Sequence, residues 1–268
     1  VARRKTEQDL ADGDKDYRFN TSLARGLSVL KAFGPDNRPI GNAEIAKRVD
    51  LPKATVSRLT FTLTELGYLT YDDDIGRYSL GPAVLSLGYD VLAQMEIGDI
   101  ARPFMQELAE YADGSVFLGM PSGTELVYIQ ACRSPVSMTI RLGIGSRIPM
   151  AKTGMGRSYL AALPEDDRAA LLERMAHDFG DEWPEIERKL QPAIEDATTR
   201  GFAIAEGDWI TESNSAGVAI KNAAGYPVYA VNVGGLRSII TRERLEVDLG
   251  PRLLAVARQI EHAARAVM

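Results

Sequence analysis

Residues 44–69 read EIAKRVDLPKATVSRLTFTLTELGYL, and the fold turns on how this stretch is read. Ile45, Ala46 and Val49 share one side of a short amphipathic helix that Asn42 is placed to cap. Asp50 and Leu51 interrupt it, and Pro52, having no N–H to lose, suits the first position of a second helix. In that second helix Val56, Leu59, Leu63 and Leu66 make the apolar stripe. The opposite side offers Lys53, Ala54, Ser57 and Arg58, with Thr55 beside them. The small Ala54 and Ser57 permit close approach to another surface. Two helices across a short turn, the second polar on its free face, predict a helix-turn-helix.

The flanking sequence fits this reading. TSLARGLSVLKAF, residues 21–33, places Leu23, Leu27 and Leu30 at helical spacing with Val29 and Phe33 on the adjoining edge, capped by Thr21 or Ser22 and stopped by Gly34-Pro35. GYLTYDDDIGRYSLG, residues 67–81, predicts a hairpin, which after a helix-turn-helix is a wing. Its tip carries Asp72, Asp73 and Asp74, which repel phosphate, so Arg77 is the contact expected there. Residues 21–71 hold seven basic and four acidic side chains, a local balance of +3 in a 268-residue chain of net charge −6. A basic module thus joins an acidic remainder, as suits a protein in which one part faces nucleic acid. Lys53 and Arg58 have the reach for base edges or phosphates; Thr55 and Ser57 make shorter hydrogen bonds.

Residues 1–20 alternate charges around Arg3, Arg4 and Lys5 with almost nothing to bury, and are expected to be a disordered tail. The winged helix-turn-helix is expected at 21–81, a linker helix at 82–95 and a second domain at 96–268. In that domain, strands are expected at 115–119, 126–131, 138–142, 201–205, 215–221 and 227–233, with helices at 154–162, 165–175, 184–200 and 242–267. That order predicts an α+β domain around a largely antiparallel sheet. No run is apolar enough to span a bilayer, and the expected location is the cytoplasm. One cysteine, Cys132, and two histidines leave no metal-ligand spacing, and no cofactor is implied. With no phosphate-binding loop and no nucleophile elbow, an enzyme is not expected. Glu206 and Asp208 could form a carboxylate pair, or belong to an exposed loop with Trp209 partly packed.

A second signal is GIGSRIPMAKTGMGRSYLAAL, residues 143–163. Thr153 can cap a helix that opens Gly154-Met155-Gly156, whose unpaired N–H groups and dipole would seat a carboxylate. Equally, the glycines could serve tight packing of helix on sheet. The competing function class is a ligand-binding or enzymatic α+β domain whose N-terminal module contacts protein rather than DNA.

SLARGLSVLKAF with LPKATVSRLTFTLTELGYL, then GRYSLGPAVLSLG, then GSRIPMAKTGMGRSYLA with NAAGYPVYAVNVGG, in this order and spacing, resemble the IclR-type bacterial transcription regulators. The resemblance implies a winged helix-turn-helix, a linker helix and a GAF-like effector-binding domain, assembled as a homodimer or dimer of dimers on palindromic operator DNA. It further implies a small organic acid effector held by Thr153, Gly154, Met155, Ser215, Asn232 and Gly234. Ser215 stands where relatives have a cysteine, and Asn232 and Gly234 where they have serines. The chain departs from the pattern after Gly201-Phe202, where Ala205 precedes the acidic Glu206. SLARGL and GIGSR resemble the branch that governs aromatic-acid catabolism, which points to an aromatic or dicarboxylic acid.

Overall fold

The computed structural model describes residues 18–34, 38–135 and 142–268. The tail at 1–17 and residues 138–141 of the strand expected at 138–142 lie outside them. The chain divides into two compact units, Val1–Val91 and Leu92–Met268.

The first unit holds α1 (Thr21–Lys31), α2 (Asn42–Val49), α3 (Lys53–Glu65), β1 (Leu69–Asp72) and β2 (Arg77–Leu80). Val29, Ile40, Ile45, Val56 and Leu69 are its fully buried centre. Several local expectations are corrected. Asn20, not Thr21 or Ser22, caps α1 by accepting from the Leu23 amide at 3.0 Å. Gly41 caps α2, so Asn42 sits inside the first turn with its carboxamide free for another use. Pro52 is the cap of α3 rather than its first residue. Leu23, Leu27 and Leu66 are exposed; from the α1 segment it is Val29, Leu30 and Phe33 that reach the core. The wing is a two-stranded antiparallel pair with Leu69 opposite Leu80, widened by a bridge between Ile40 and Tyr78. Its turn explains one aspartate: Asp72 Oδ1 accepts from the amides of Asp74 and Ile75. Gly81 closes the wing where a Cβ would fall 2.2 Å from the Gly67 carbonyl oxygen, so no side chain fits.

α4 (Ala83–Ala93) follows in the chain. The second unit then runs α5 (Glu96–Ala112), β3 (Ser115–Ser122), β4 (Glu125–Arg133), β5 (Arg147–Pro149), α6 (Gly154–Ala162), α7 (Glu165–Phe179), α8 (Trp183–Arg200), β6 (Ala203–Glu206), β7 (Ser213–Lys221), β8 (Pro227–Leu236), α9 (Arg242–Arg244) and α10 (Gly250–Ala263). Among the described residues six strands form one antiparallel sheet in the order β5-β4-β3-β8-β7-β6. The single long helix expected at 242–267 is interrupted by a π turn at Leu245–Leu249 and stops at Ala263. Pro251 has no amide to offer the preceding turn, and Gly250 lies so close to Phe202 that a Cβ would meet its ring at 2.4 Å.

The sheet separates two cores. Val116, Leu118, Val218, Val231 and Val233 face α5 and α10; Phe117, Tyr128 and Ala230 share the other core with Met155, Leu160, Leu190 and Ile194 of α6 and α8. Period-two alternation holds along β3, β7 and β8. β4 breaks it with a bulge opposite Leu118 and Gly119, where Leu118 pairs with Gln130 but Gly119 pairs with Tyr128. Ile129 packs in the α5 core and Gln130 donates to the Gly98 carbonyl of α5 at 3.1 Å, so two successive residues turn the same way. Tyr128 is thereby returned to the opposite face, against Phe117.

Candidate functional site

In the first unit the candidate surface is the free side of α3. Lys53, Ala54, Ser57 and Arg58 are exposed and Thr55 is half-buried beside them. Two features were not legible in the spacing. Phe61, one turn beyond Ser57 and Arg58, is exposed on the same side. Asn42 holds the two helices in register: its carboxamide donates to Ser57 Oγ at 3.3 Å and accepts from Thr60 Oγ1 at 3.1 Å. Thr60 is fully buried and also reaches the Val56 carbonyl, so the contact pins α2 across the start of α3. Arg77 of the wing donates to the Pro39 carbonyl at 3.1 Å and is otherwise exposed. Glu44 pairs with both Arg38 and Arg48, at 2.7 and 2.6 Å.

In the second unit a cleft opens over the sheet on the α6 side. Phe117 and Tyr128 line it as a stacked pair, centroids 4.3 Å apart and planes 5° from parallel. Ser115, Thr153, Ser213 and Ser215 bring hydroxyls, and Trp209, Ile210, Leu142 and Leu236 supply apolar wall. Asn232 stands in the lining, 6 % exposed, and its Oδ1 is buried with no hydrogen-bond partner. Burial pushes the Tyr128 phenol well above its ordinary range, and a hydrogen bond with Asn232 opposes that only in part. The ring therefore stays protonated and polar without charge. None of the described lining residues is ionisable at neutral pH; the nearest cation seen against the stack is Arg133, whose guanidinium lies 5.6 Å from the Phe117 centroid.

Of the residues expected to hold an effector, Thr153, Ser215, Asn232 and Gly234 line this cleft. Gly154 and Met155 do not. A Cβ on Gly217 would stand 2.3 Å from the Met155 amide nitrogen, so the first turn of α6 rests directly on β7. Thr153 Oγ1 accepts from the Gly156 amide at 3.2 Å and donates to the Pro149 carbonyl at 2.9 Å. The aromatic floor, Phe117 and Tyr128, and the wall residues Trp209 and Ile210 had no signal in the sequence, since each depends on strand pairing or on a loop. Glu206 and Asp208 do not act as a pair: Glu206 bonds Arg242, whereas Asp208 meets Arg157 at 2.9 Å and Lys189 at 3.4 Å. Among the described residues no cluster of His, Cys, Asp and Glu could hold a metal ion, and no helix is long and apolar enough to cross a membrane.

Comparison with known proteins agrees with this layout. Residues 22–73 match the IclR helix-turn-helix domain, and residues 89–262 match the family described as bacterial transcriptional regulator IclR C-terminal. The Pca regulon regulatory protein of Pseudomonas putida is 33% identical over 93% of this chain and 85% of its own length. The crystal structure of an IclR family transcriptional regulator from Brucella abortus shares 40% identity with a TM-score of 0.80, covering 93% of this chain and 94% of that one. An IclR homolog from Microbacterium hydrocarbonoxydans, crystallised with 4-hydroxybenzoate, shares the fold at 20% identity, TM-score 0.69, over 92% of this chain and 100% of its own. With a helix-turn-helix in its first unit and a cleft over the sheet of its second, this chain belongs to the IclR family of bacterial transcriptional regulators.

Proposed function

We propose that the chain reads DNA through Lys53, Ala54, Thr55, Ser57 and Arg58 of α3, with Arg77 of the wing on the backbone, and releases or grips it in response to a small aromatic acid. In this reading residues 21–81 are the DNA-binding domain, 82–95 the linker and 96–268 the effector domain. The observation that carries the effector site is the Asn232 oxygen, buried and unpartnered in the wall of a cleft floored by two stacked rings. An orphaned buried acceptor costs about 1–3 kcal/mol, which a ligand bearing a hydroxyl donor would recover while its ring lies against Phe117 and Tyr128. Its carboxylate would be met by the hydroxyls of Ser115, Ser213 and Ser215, since the Thr153 proton is committed to the Pro149 carbonyl and the described lining offers no cation. The 4-hydroxybenzoate bound by the Microbacterium homolog supports the same class.

The chain would work in the cytoplasm as a homodimer or dimer of dimers, without catalysis. Leu23 and Leu27 on α1, and Leu85, Leu87, Tyr89 and Val91 on α4, are exposed apolar side chains of the kind a second copy covers. A two-fold pair of recognition helices fits a palindromic operator with half-sites about one helical turn, roughly 34 Å, apart. The acid changes operator affinity only as far as it binds the DNA-competent and DNA-incompetent arrangements unequally.

The test is a fluorescence-anisotropy titration on DNA flanking the gene, with and without hydroxybenzoates and matched benzoates. Arg58→Ala should weaken operator binding about tenfold and leave acid binding intact. Asn232→Ala should do the reverse, costing more affinity for hydroxybenzoates than for benzoate. Operator binding untouched by Arg58→Ala removes that residue from the interface, and acids that bind without shifting operator affinity refute the regulatory reading.

A further inference from the structure

Trp209 and Ile210 form a wall of the cleft, and both sit on the connection between β6 and β7. This connection folds on itself: Gly207 has φ +64°, its amide donates to the Ser213 carbonyl at 2.9 Å, and the Ser213 amide donates to the Ile210 carbonyl at 2.9 Å. Its largest side chain, Trp209, is 37 % exposed. The anchor lies behind. Arg157 of α6 is 4 % exposed, its Nε donates to the Ala151 carbonyl at 3.2 Å, and its Nη1 donates to the Ile204 carbonyl at 3.1 Å. The same Nη1 lies 2.9 Å from Asp208 Oδ2, while Lys189 of α8 reaches Oδ1 at 3.4 Å. Among the described residues Asp208 is the one carboxylate seen paired with Arg157.

We infer that Arg157 and Asp208 are positioning residues: their ion pair, buried at Arg157 and half-buried at Asp208, latches the Trp209–Ile210 wall over the cleft and sets how fast the effector leaves. The effector half of this rests on the cleft being the effector site. Arg157 is fixed to two backbone carbonyls and cannot follow the loop, so an outward swing of residues 207–212 strands a buried guanidinium without its counter-charge. Breaking a buried pair from one side is strongly unfavourable. Opening is therefore rare, and exit through this wall waits for it. A pair with one member buried is screened less than an exposed one, so effector release should respond to salt more weakly than operator affinity, which falls steeply with it.

The test uses the full chain carrying Trp183→Phe, which leaves Trp209 as its only tryptophan. Two readouts are taken: acrylamide quenching of Trp209 without any acid, and stopped-flow release of 4-hydroxybenzoate. Asp208→Asn should raise the quenching constant about twofold and the release rate about tenfold, with ligand-free operator affinity unchanged and Asp208→Glu restoring part of the loss. Glu206→Gln, two residues away and facing Arg242, should move neither readout. Lys189→Met removes the outer, half-exposed contact and should give a smaller rise of about twofold in release; it serves if Asp208→Asn does not fold. Quenching unchanged in Asp208→Asn, or in Lys189→Met where Asp208→Asn does not fold, overturns the latch. A parent chain that binds none of the hydroxybenzoates refutes the effector reading instead, and the quenching readout still decides the latch.

Discussion

Replacing Gly217 by alanine tests how tightly the ligand cleft is tied to the fold. Gly217 lies in β7 beneath the first turn of α6, and an added Cβ would stand 2.3 Å from Met155 N and 2.4 Å from the Gly154 carbonyl carbon and oxygen. Ordinary contact begins near 3.4 Å, so the helix start must lift by about 1 Å. It has nowhere to go. On its other side Gly156 abuts Met150, where a Cβ would fall 2.1 Å from the Met150 Cα. Both partners are backbone, so no rotamer relieves the clash, and the cost should reach the upper end of overpacking, about 3 kcal/mol. For a unit of this size that corresponds to a melting temperature lower by roughly 6–12 °C. Thr153, which caps the displaced turn, would move away from the cleft and weaken acid binding with it. The assay is differential scanning calorimetry of the full chain, with Gly88→Ala as the control. Gly88 has nothing within 4 Å of an added Cβ and sits in a helix, where alanine is favoured by about 1 kcal/mol. A Gly217→Ala protein melting within about 1 °C of the parent would refute the close approach of α6 to β7.

Two further perturbations bear on other parts of the chain. Asn42→Ala removes both side-chain bonds between α2 and α3; since Thr60 keeps its bonds to the Val56 and Ser57 carbonyls, the loss should be about 1–2 kcal/mol, read as a lower melting temperature of the first unit and weaker operator binding. Unchanged stability would show that the carboxamide does not hold the register. Burial raises Tyr128, and burial with the nearby Tyr226 and Asp167 pushes Tyr159 up to about 12. Because these phenols hold their protons in the folded state beyond the unfolded value of about 10, the stability they contribute is complete below pH 10 and is lost as pH rises above it. Thermal melts between pH 9 and 11 should show the decline, and Tyr159→Phe should make it shallower; an identical slope would remove Tyr159 as a source.

The readable parts of the sequence were those fixed by local periodicity. The three helices and the wing of the first unit follow from apolar spacing, and α6 runs over Gly154–Ala162 as its Thr153 cap and glycines dictate. Cap positions slipped by one because Asn20 and Gly41 compete with neighbours equally able to cap. Leu23, Leu27 and Leu66 read as core because spacing reports that a face is apolar without saying what covers it. β5 is three residues long and exists only because Arg147–Pro149 pairs with β4. At the cleft, Thr153, Ser215, Asn232 and Gly234 were reachable through family resemblance. Phe117 and Tyr128 were not, since they become neighbours only when β3 and β4 pair, and the role of Asp208 needs an arginine 51 positions earlier in the chain.

The bulge in β4 divides that strand's labour. Leu126 and Tyr128 serve the cleft side, while Gln130 and Cys132, in phase with them by number, serve the core against α5. One extra residue acts as a spatial frameshift, so the strand carries two messages read on opposite faces. A tolerance map along residues 125–133 would keep its period of two and invert its phase at Ile129. Variation before that point can retune what the cleft accepts while the core beyond it stays as it is, which lets ligand preference drift without reopening the problem of folding.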